Sequence, residues 1–288
     1  MSFPILHYSA FTDTAAGGNP AGVVLDARGL PAAAMQGIAA DLGYSESVFL
    51  LPRPDGAFDV RYYSPKAEVS FCGHATIAAA VAHADRHGPG LRVLHTRAGE
   101  VRVSVDDKRM ATLVSVPPRV LPLAEDALAA ILDALGWSRA DLDGGFAPAL
   151  AYAGAWHPVL VLAERSRLAA LDYDFEALAA LMAANDWTTV CLAWREDASH
   201  WHVRNPFPPG GVVEDPATGA AAAALGAYLA ACDALPADRA FSIRQGEDMG
   251  RPSRLRVAVP ADPADGIRVS GTAVALPAPS APTAPLSR

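Results

Sequence analysis

Two stretches of this 288-residue chain decide its fold: EDPATGAAAAALGAYLA at 214–230 and SFCGHATIAAAVAHA at 70–84. Each reads as a loop that ends at a glycine, Gly219 or Gly73, and then becomes a helix built almost wholly from small apolar residues. Alanine favours the helix and keeps it thin, and a helix with no polar face has to be enclosed, so each segment predicts a central helix wrapped by strands.

Working outward, the same elements precede both helices, about 145 residues apart. In the first copy the helical pattern PAAAMQGIAADLG (31–43) leads to the strands ESVFLL (46–51) and FDVRYYS (58–64). In the second, FEALAALMAAND (175–186) leads to TTVCLAW (188–194) and HWHVRNP (200–206). Setting Gly73 on Gly219 places Cys72 opposite Thr218, Glu68 opposite Glu214 and Glu46 opposite Thr188, and a three-residue insertion pairs Arg61 with Arg204. The flanks LRVLHTRAGEVRVSVD (91–106), FSIRQGEDMGRPSRLRVAVP (241–260) and IRVSGTAVAL (267–276) alternate like strands. Such a duplication predicts two similar α+β halves, not a nucleotide-binding βαβ domain, because no GxGxxG follows a strand.

Composition narrows the partners. The chain is 51% apolar and carries a net charge of -8, with no basic run, which argues against nucleic acid. The opening MSFPILHYSAFTD has neither a charged segment nor a long apolar one, and the alanine run is too short to span a bilayer, so no membrane association and a cytoplasmic location are expected. Cys72, Cys191 and Cys232 are scattered without a CxxC pair, which predicts reduced thiols rather than a disulfide framework or zinc site. His200 and His202 share a strand face without a third ligand at metal spacing, and no metal is expected.

A helix start exposes unpaired N–H groups and a partial positive charge, so two aimed at one cleft form a receptor for a carboxylate. Gly73, His74, Gly219 and Ala220 are the candidate cradle for a small anionic substrate.

With these features in place, GNPAGVVL (18–25), SESVFL (45–50), FCGHATIAAA (71–80), GVVEDPATGAA (211–221) and RQGEDMGRPS (244–253) resemble successive signature segments of the PhzF-like (phenazine-biosynthesis isomerase-like) family. The resemblance implies the α+β, diaminopimelate epimerase-like fold: two pseudo-symmetric domains, each a curved mixed sheet around a central helix, with the active site between them. The first would cover residues 1–122, joined by the last strand at 266–276, and the second residues 123–265, leaving 277–288 as a mobile tail. It also implies a homodimer and cofactor-independent isomerisation, in which a glutamate moves a proton from one substrate carbon to another. That glutamate corresponds to Glu46, with His74 and Asp215 as the accompanying catalytic residues. Asn19, Cys72, Gly73, Thr218, Gly219, Ala220 and Gly246 are the expected substrate-binding set. The family usually continues TGSA where this chain reads Thr218, Gly219, Ala220, Ala221, so a substrate-binding serine hydroxyl is absent.

Each residue also has a structural reading. Asp215 before Pro216 matches an ordinary helix N-cap, Asn19 before Pro20 an ordinary turn, Gly246 a hairpin turn, and Arg61 and Arg204 structural ion pairs. Cys72 offers a different chemistry. Related epimerases and racemases place paired cysteines at the two equivalent turns, and here the second is Thr218, which disfavours a two-thiol racemisation. A racemase-, epimerase- or dehydratase-type reaction using Cys72 alone, and a family member reduced to binding small molecules, stay open at this point.

Overall fold

The computed structural model describes residues 3–278; most of the segment expected to form a mobile tail lies outside the described residues. The first half runs β1 (Leu6–Ala10), β2 (Asn19–Val24), α1 (Ala32–Leu42), β3 (Glu46–Pro52), β4 (Phe58–Tyr63), β5 (Glu68–Val69), α2 (Gly73–His87), β6 (Gly90–Thr96), β7 (Gly99–Val105) and β8 (Ala111–Val114). The second runs β9 (Arg119–Pro122), α3 (Glu125–Leu135), β10 (Ala149–Tyr152), β11 (Trp156–Leu162), α4 (Arg165–Ala169), α5 (Phe175–Asn185), β12 (Cys191–Arg195), β13 (His200–Arg204), α6 (Gly219–Ala231), β14 (Ala240–Gln245), β15 (Ser253–Ala258), β16 (Arg268–Gly271) and β17 (Ala273–Ala275).

Pairing repeats with the sequence. β2 runs parallel to β3 and β4 parallel to β6; in the second half β11 runs parallel to β12 and β13 parallel to β14. The hairpins β3–β4 and β12–β13, and the ribbons β6–β7–β8 and β14–β15–β16, are antiparallel in both. The halves join where β8 pairs with β16, Ala111 opposite Gly271. After that seam the chain crosses over: β9 pairs with β10, and β17 pairs with β1. IRVSGTAVAL is thus two short strands broken at Thr272, whose carbonyl accepts a hydrogen bond from the Phe11 amide at 2.7 Å.

Both small-residue helices are enclosed, α2 from Gly73 to Ala82 without interruption and α6 from Ala221 to Leu229. Close approach is the reason for their composition. A Cβ placed on Gly226 would lie 2.9 Å from Val257 Cγ1 and 3.2 Å from Ile267 Cγ2, so any side chain there would push the sheet away. At the other end of the two helices their first residues abut, and a Cβ on Gly73 would lie 3.4 Å from Gly219 Cα.

The duplicated Arg–Glu pairs are both present. Arg61 donates to Glu68 at 2.8 and 2.7 Å, and Arg204 to Glu214 at 2.6 to 3.1 Å. Strand register shifts one correspondence by a residue. Phe49 lies opposite Arg61 and Leu192 opposite Arg204, so three positions back Glu46 matches Thr189, not Thr188.

Candidate active site

The starts of α2 and α6 open onto one cavity of about 250 Å³ between the halves. Glu46, Cys72, Gly73, His74, Asp215, Thr218, Gly219 and Ala220 all border it. Neither helix has a side-chain cap at its start, so the first N–H groups of both face the cavity without a capping side chain. Two residues of the expected set do not border it. Asn19 sits behind the wall at 1% exposure, and Gly246 holds the neighbouring loop from outside. Gly246 has φ 75, and a side chain there would collide with the carbonyls of Arg251 and Pro216, so its role is to let the β14–β15 turn pass under the 215–218 loop.

Glu46 is placed by the first residue of β3, where the strand's alternation turns its side chain inward. It is 8% exposed, and burial holds its carboxyl above the ordinary glutamate value, against hydrogen bonds from Ser45 and Cys72 that pull the other way. His74 Nε2 lies 3.5 Å from Glu46 Oε2. Burial lowers the His74 pKa to about 3, so the ring is neutral at working pH.

Asn19 determines which nitrogen of that ring carries the proton. Its Nδ2 faces three acceptors: Asp215 Oδ1 at 2.6 Å, His74 Nδ1 at 3.0 Å and the Ala217 carbonyl at 3.3 Å. Two of them can only accept, which orients the amide and makes His74 Nδ1 an acceptor. The proton is then on Nε2, pointing toward Glu46 and Ser45 Oγ, the latter at 3.3 Å.

Glu46, Cys72 and His74 bring their ligand atoms within 4.8 Å of one another, a spacing a metal ion could use. The hydrogen bond from Asn19 to His74 disfavours that use. A ligating histidine ordinarily donates its other N–H outward, whereas here Asn19 donates inward to Nδ1 and leaves Nε2 protonated. His200 and His202, read from sequence as lacking a carboxylate, pair with Asp197 at 2.9 Å and with Glu196 and Glu247 at 3.2 and 3.1 Å.

Asp215 is not the cap of α6. The cap position is Thr218, three residues later, and Asp215 instead accepts from Thr218 Oγ1 and Asn19 Nδ2, each at 2.6 Å. Burial, and after it the neighbouring Glu46 charge, push its pKa up to about 7. Gln245, unremarked within the RQGEDMG segment, locks this loop. Its Oε1 accepts from Thr218 N at 3.1 Å, and its Nε2 donates to the Asp215 carbonyl at 2.7 Å. Cys72 is raised well above an ordinary thiol by burial and then by Glu46, so it is a neutral S–H donor to that carboxyl. Val69 to Phe71, Gly154–Ala155, Thr188–Thr189, Phe207 and Ala217 form the remaining rim.

The sequence model of the family described as "Phenazine biosynthesis-like protein" (PhzC-PhzF) matches residues 8–278. The uncharacterized isomerase YddE of Escherichia coli K12 is 34% identical over 290 residues, covering 96% of this chain and 97% of that protein. The trans-2,3-dihydro-3-hydroxyanthranilate isomerase of Pseudomonas fluorescens is 33% identical over 254 residues, covering 85% and 86%. The crystal structure of a PhzF-family protein from Bacillus anthracis superposes with a TM-score of 0.83 over 96% of this chain and 98% of its own, at 24% identity, and so supports the fold alone. Together with the duplicated frame and the cavity between its helix starts, these matches establish that the chain belongs to the phenazine biosynthesis-like family and is one of its isomerases.

Proposed function

We propose that this enzyme shifts a proton from one carbon to another on a small carboxylate-bearing substrate, with Glu46 as general acid and base and no cofactor taking part. One observation carries the reading: a buried carboxyl, raised above the ordinary glutamate range by burial, borders a cavity into which two uncapped helix starts point. The substrate carboxylate lies against the N–H groups of Gly73, His74, Gly219 and Ala220. Ionised Glu46 removes a proton from carbon, and the electron pair left behind delocalises toward the substrate carboxylate, where the same N–H groups stabilise the developing charge. Glu46, now a carboxylic acid, delivers its proton to the second carbon. Asp215 and His74 position the substrate and the Glu46 carboxyl, and Asn19 orients both of them. The dry, raised environment of Glu46 suits a group that takes and returns one proton near neutral pH. A thiol mechanism finds no such support, because Cys72 is held protonated.

The test is proton exchange. In D2O the enzyme should wash deuterium into a carbon-bound position of a responsive member of a panel of small hydroxy and amino carboxylates that includes trans-2,3-dihydro-3-hydroxyanthranilate. Glu46→Gln should abolish that exchange without lowering the melting temperature. Exchange that survives in Glu46→Gln removes the assignment. The homodimer belongs to the same reading and is tested by sedimentation. Among the described residues no helix is long and apolar enough to cross a membrane.

A further inference from the structure

Beside the active-site cavity lies a narrow annex of about 40 Å³. The two spaces share Phe71, Gly154, Gly219 and Ala220 as common walls. Deeper in, the annex is bounded by Val101, Leu113, Ala223 and Val269, contributed by strands of the first half, helix α6 and the seam strand β16. Its one side-chain hydroxyl is already committed: Ser115 Oγ donates to the Val116 carbonyl at 2.8 Å and accepts from Ile267 N at 2.9 Å. A stable buried water needs two to four polar partners, and this space offers it no free side-chain group, so it favours an apolar occupant.

We infer that the annex receives a short alkyl substituent of the substrate, and that Ala220 is the residue that admits it. The inference rests on the carboxylate reading above, since the start of α6, Gly219 and Ala220, which would help to hold the carboxylate, lines both spaces. Ala220 presents a methyl group to both spaces; a hydroxyl there would demand a hydrogen-bonding partner, whereas a methyl group demands none. Size limits the substituent. A cavity of roughly 150 Å³ holds a benzene ring, so a space of about 40 Å³ takes a tail of one or two carbons. The substrate class is thus a small aliphatic carboxylate carrying a methyl- or ethyl-sized apolar branch, not a polyhydroxylated acid.

Titration of the intact enzyme with acetate, propionate, butyrate and hexanoate, followed by NMR, tests this. From acetate to butyrate, Kd should tighten about fourfold for each added methylene, with no further gain at hexanoate. Val116→Phe, filling the annex from its partly exposed rim, should remove that gain, and so should Ala223→Val from inside; having two variants guards against one that folds poorly. Ala220→Ser should reduce the gain per methylene. If the four acids bind with equal Kd, the annex assignment falls while the carboxylate reading stands. If none of them binds, both fall together. A gain that persists in both filled variants places the alkyl tail elsewhere and overturns the assignment.

Discussion

At the start of α2 the residue before the helix is Cys72, and the matching strand position holds Glu46; at the start of α6 the equivalents are Thr218 and Thr189. The surroundings differ as sharply as the residues. Glu46 faces the cavity with its charge poorly compensated, whereas Thr189 is absorbed into packing: its hydroxyl lies 2.9 Å from His157 Nδ1 and donates to Asn205 Oδ1 at 2.9 Å. A duplicated frame therefore assigns its two halves different work. In the proposed reaction both supply N–H groups to hold an anion, the first supplies the proton-transferring carboxyl, and the second supplies Asp215 and a rigid hydrogen-bonded wall.

The largest expected effect breaks this comparison at its centre. Glu46→Gln should lower turnover by a factor on the order of 10² to 10⁴, the usual contribution of a positioned acid or base, without any loss of stability. The matched change Thr189→Val should do the reverse. It strands buried polar groups on His157 and Asn205, at about 1 to 3 kcal/mol of stability, and should lower exchange far less than Glu46→Gln does. Equal losses of turnover from the two would mean that the chemistry is shared between the halves.

The paired arginines give the next contrast. Arg204 and Glu214 are 11% and 3% exposed at their side chains, and Arg61 and Glu68 are 32% and 17% exposed. Removing one partner of a buried pair leaves an uncompensated charge, so Glu214→Gln should cost about 3 to 5 kcal/mol in denaturant unfolding. Glu68→Gln, at a site that water reaches, should cost about 1 kcal/mol or less. Like values would show that the second pair is not the anchor of its half.

A pH series sharpens the same asymmetry. Glu46 and Asp215 both have raised pKa values, Asp215 near 7, so between about pH 4 and 7 the native state holds more protons than the unfolded chain and these groups cost stability as pH rises. Glu46→Gln removes one of them and also removes the charge that helps to raise the other. The melting temperature of the variant relative to wild type should therefore climb from pH 5 to 8, with an upper slope of about 1.4 kcal/mol per pH unit for each proton of difference. A variant that instead loses ground as pH rises would show that Glu46 is ionised and well paired in the native enzyme. His74, at about 3, should add no limb to activity across this range.

Much of this contrast is legible in the chain. The glycine-then-alanine helices, the strands before them and the Arg–Glu pairs lie at matching positions, because close packing around a thin helix leaves few residue types that fit. What sequence conceals is reach across the fold. Asn19 meets Asp215 across 196 positions and Gln245 meets Thr218 across 27, and neither spacing has a local period to betray it. The same limit hid the carboxylates around His202 and made Asp215 read as a cap: Asp-Pro is an ordinary helix opening, yet the cap position is Thr218 and the Asp215 side chain is engaged by Asn19 and Thr218 Oγ1. The repeat in the sequence sets Glu46 opposite Thr188, whereas strand register, visible only in the folded sheet, sets it opposite Thr189.

Cys72 against Thr218 should give the smallest difference. The thiol, raised by burial and by the Glu46 charge, acts as a hydrogen-bond donor to that carboxyl and not as a base. Serine keeps a donor at the same atom, so Cys72→Ser should retain turnover within about tenfold, equivalent to roughly 1.4 kcal/mol of barrier. Cys72→Ala removes the donor and lets Glu46 rise further, which should move the carboxyl limb of the pH–rate profile to higher pH without erasing it. A loss in Cys72→Ser as deep as that in Glu46→Gln would transfer the proton to the thiol and make Thr218, its silent counterpart, the residue that separates this enzyme from a two-thiol racemase.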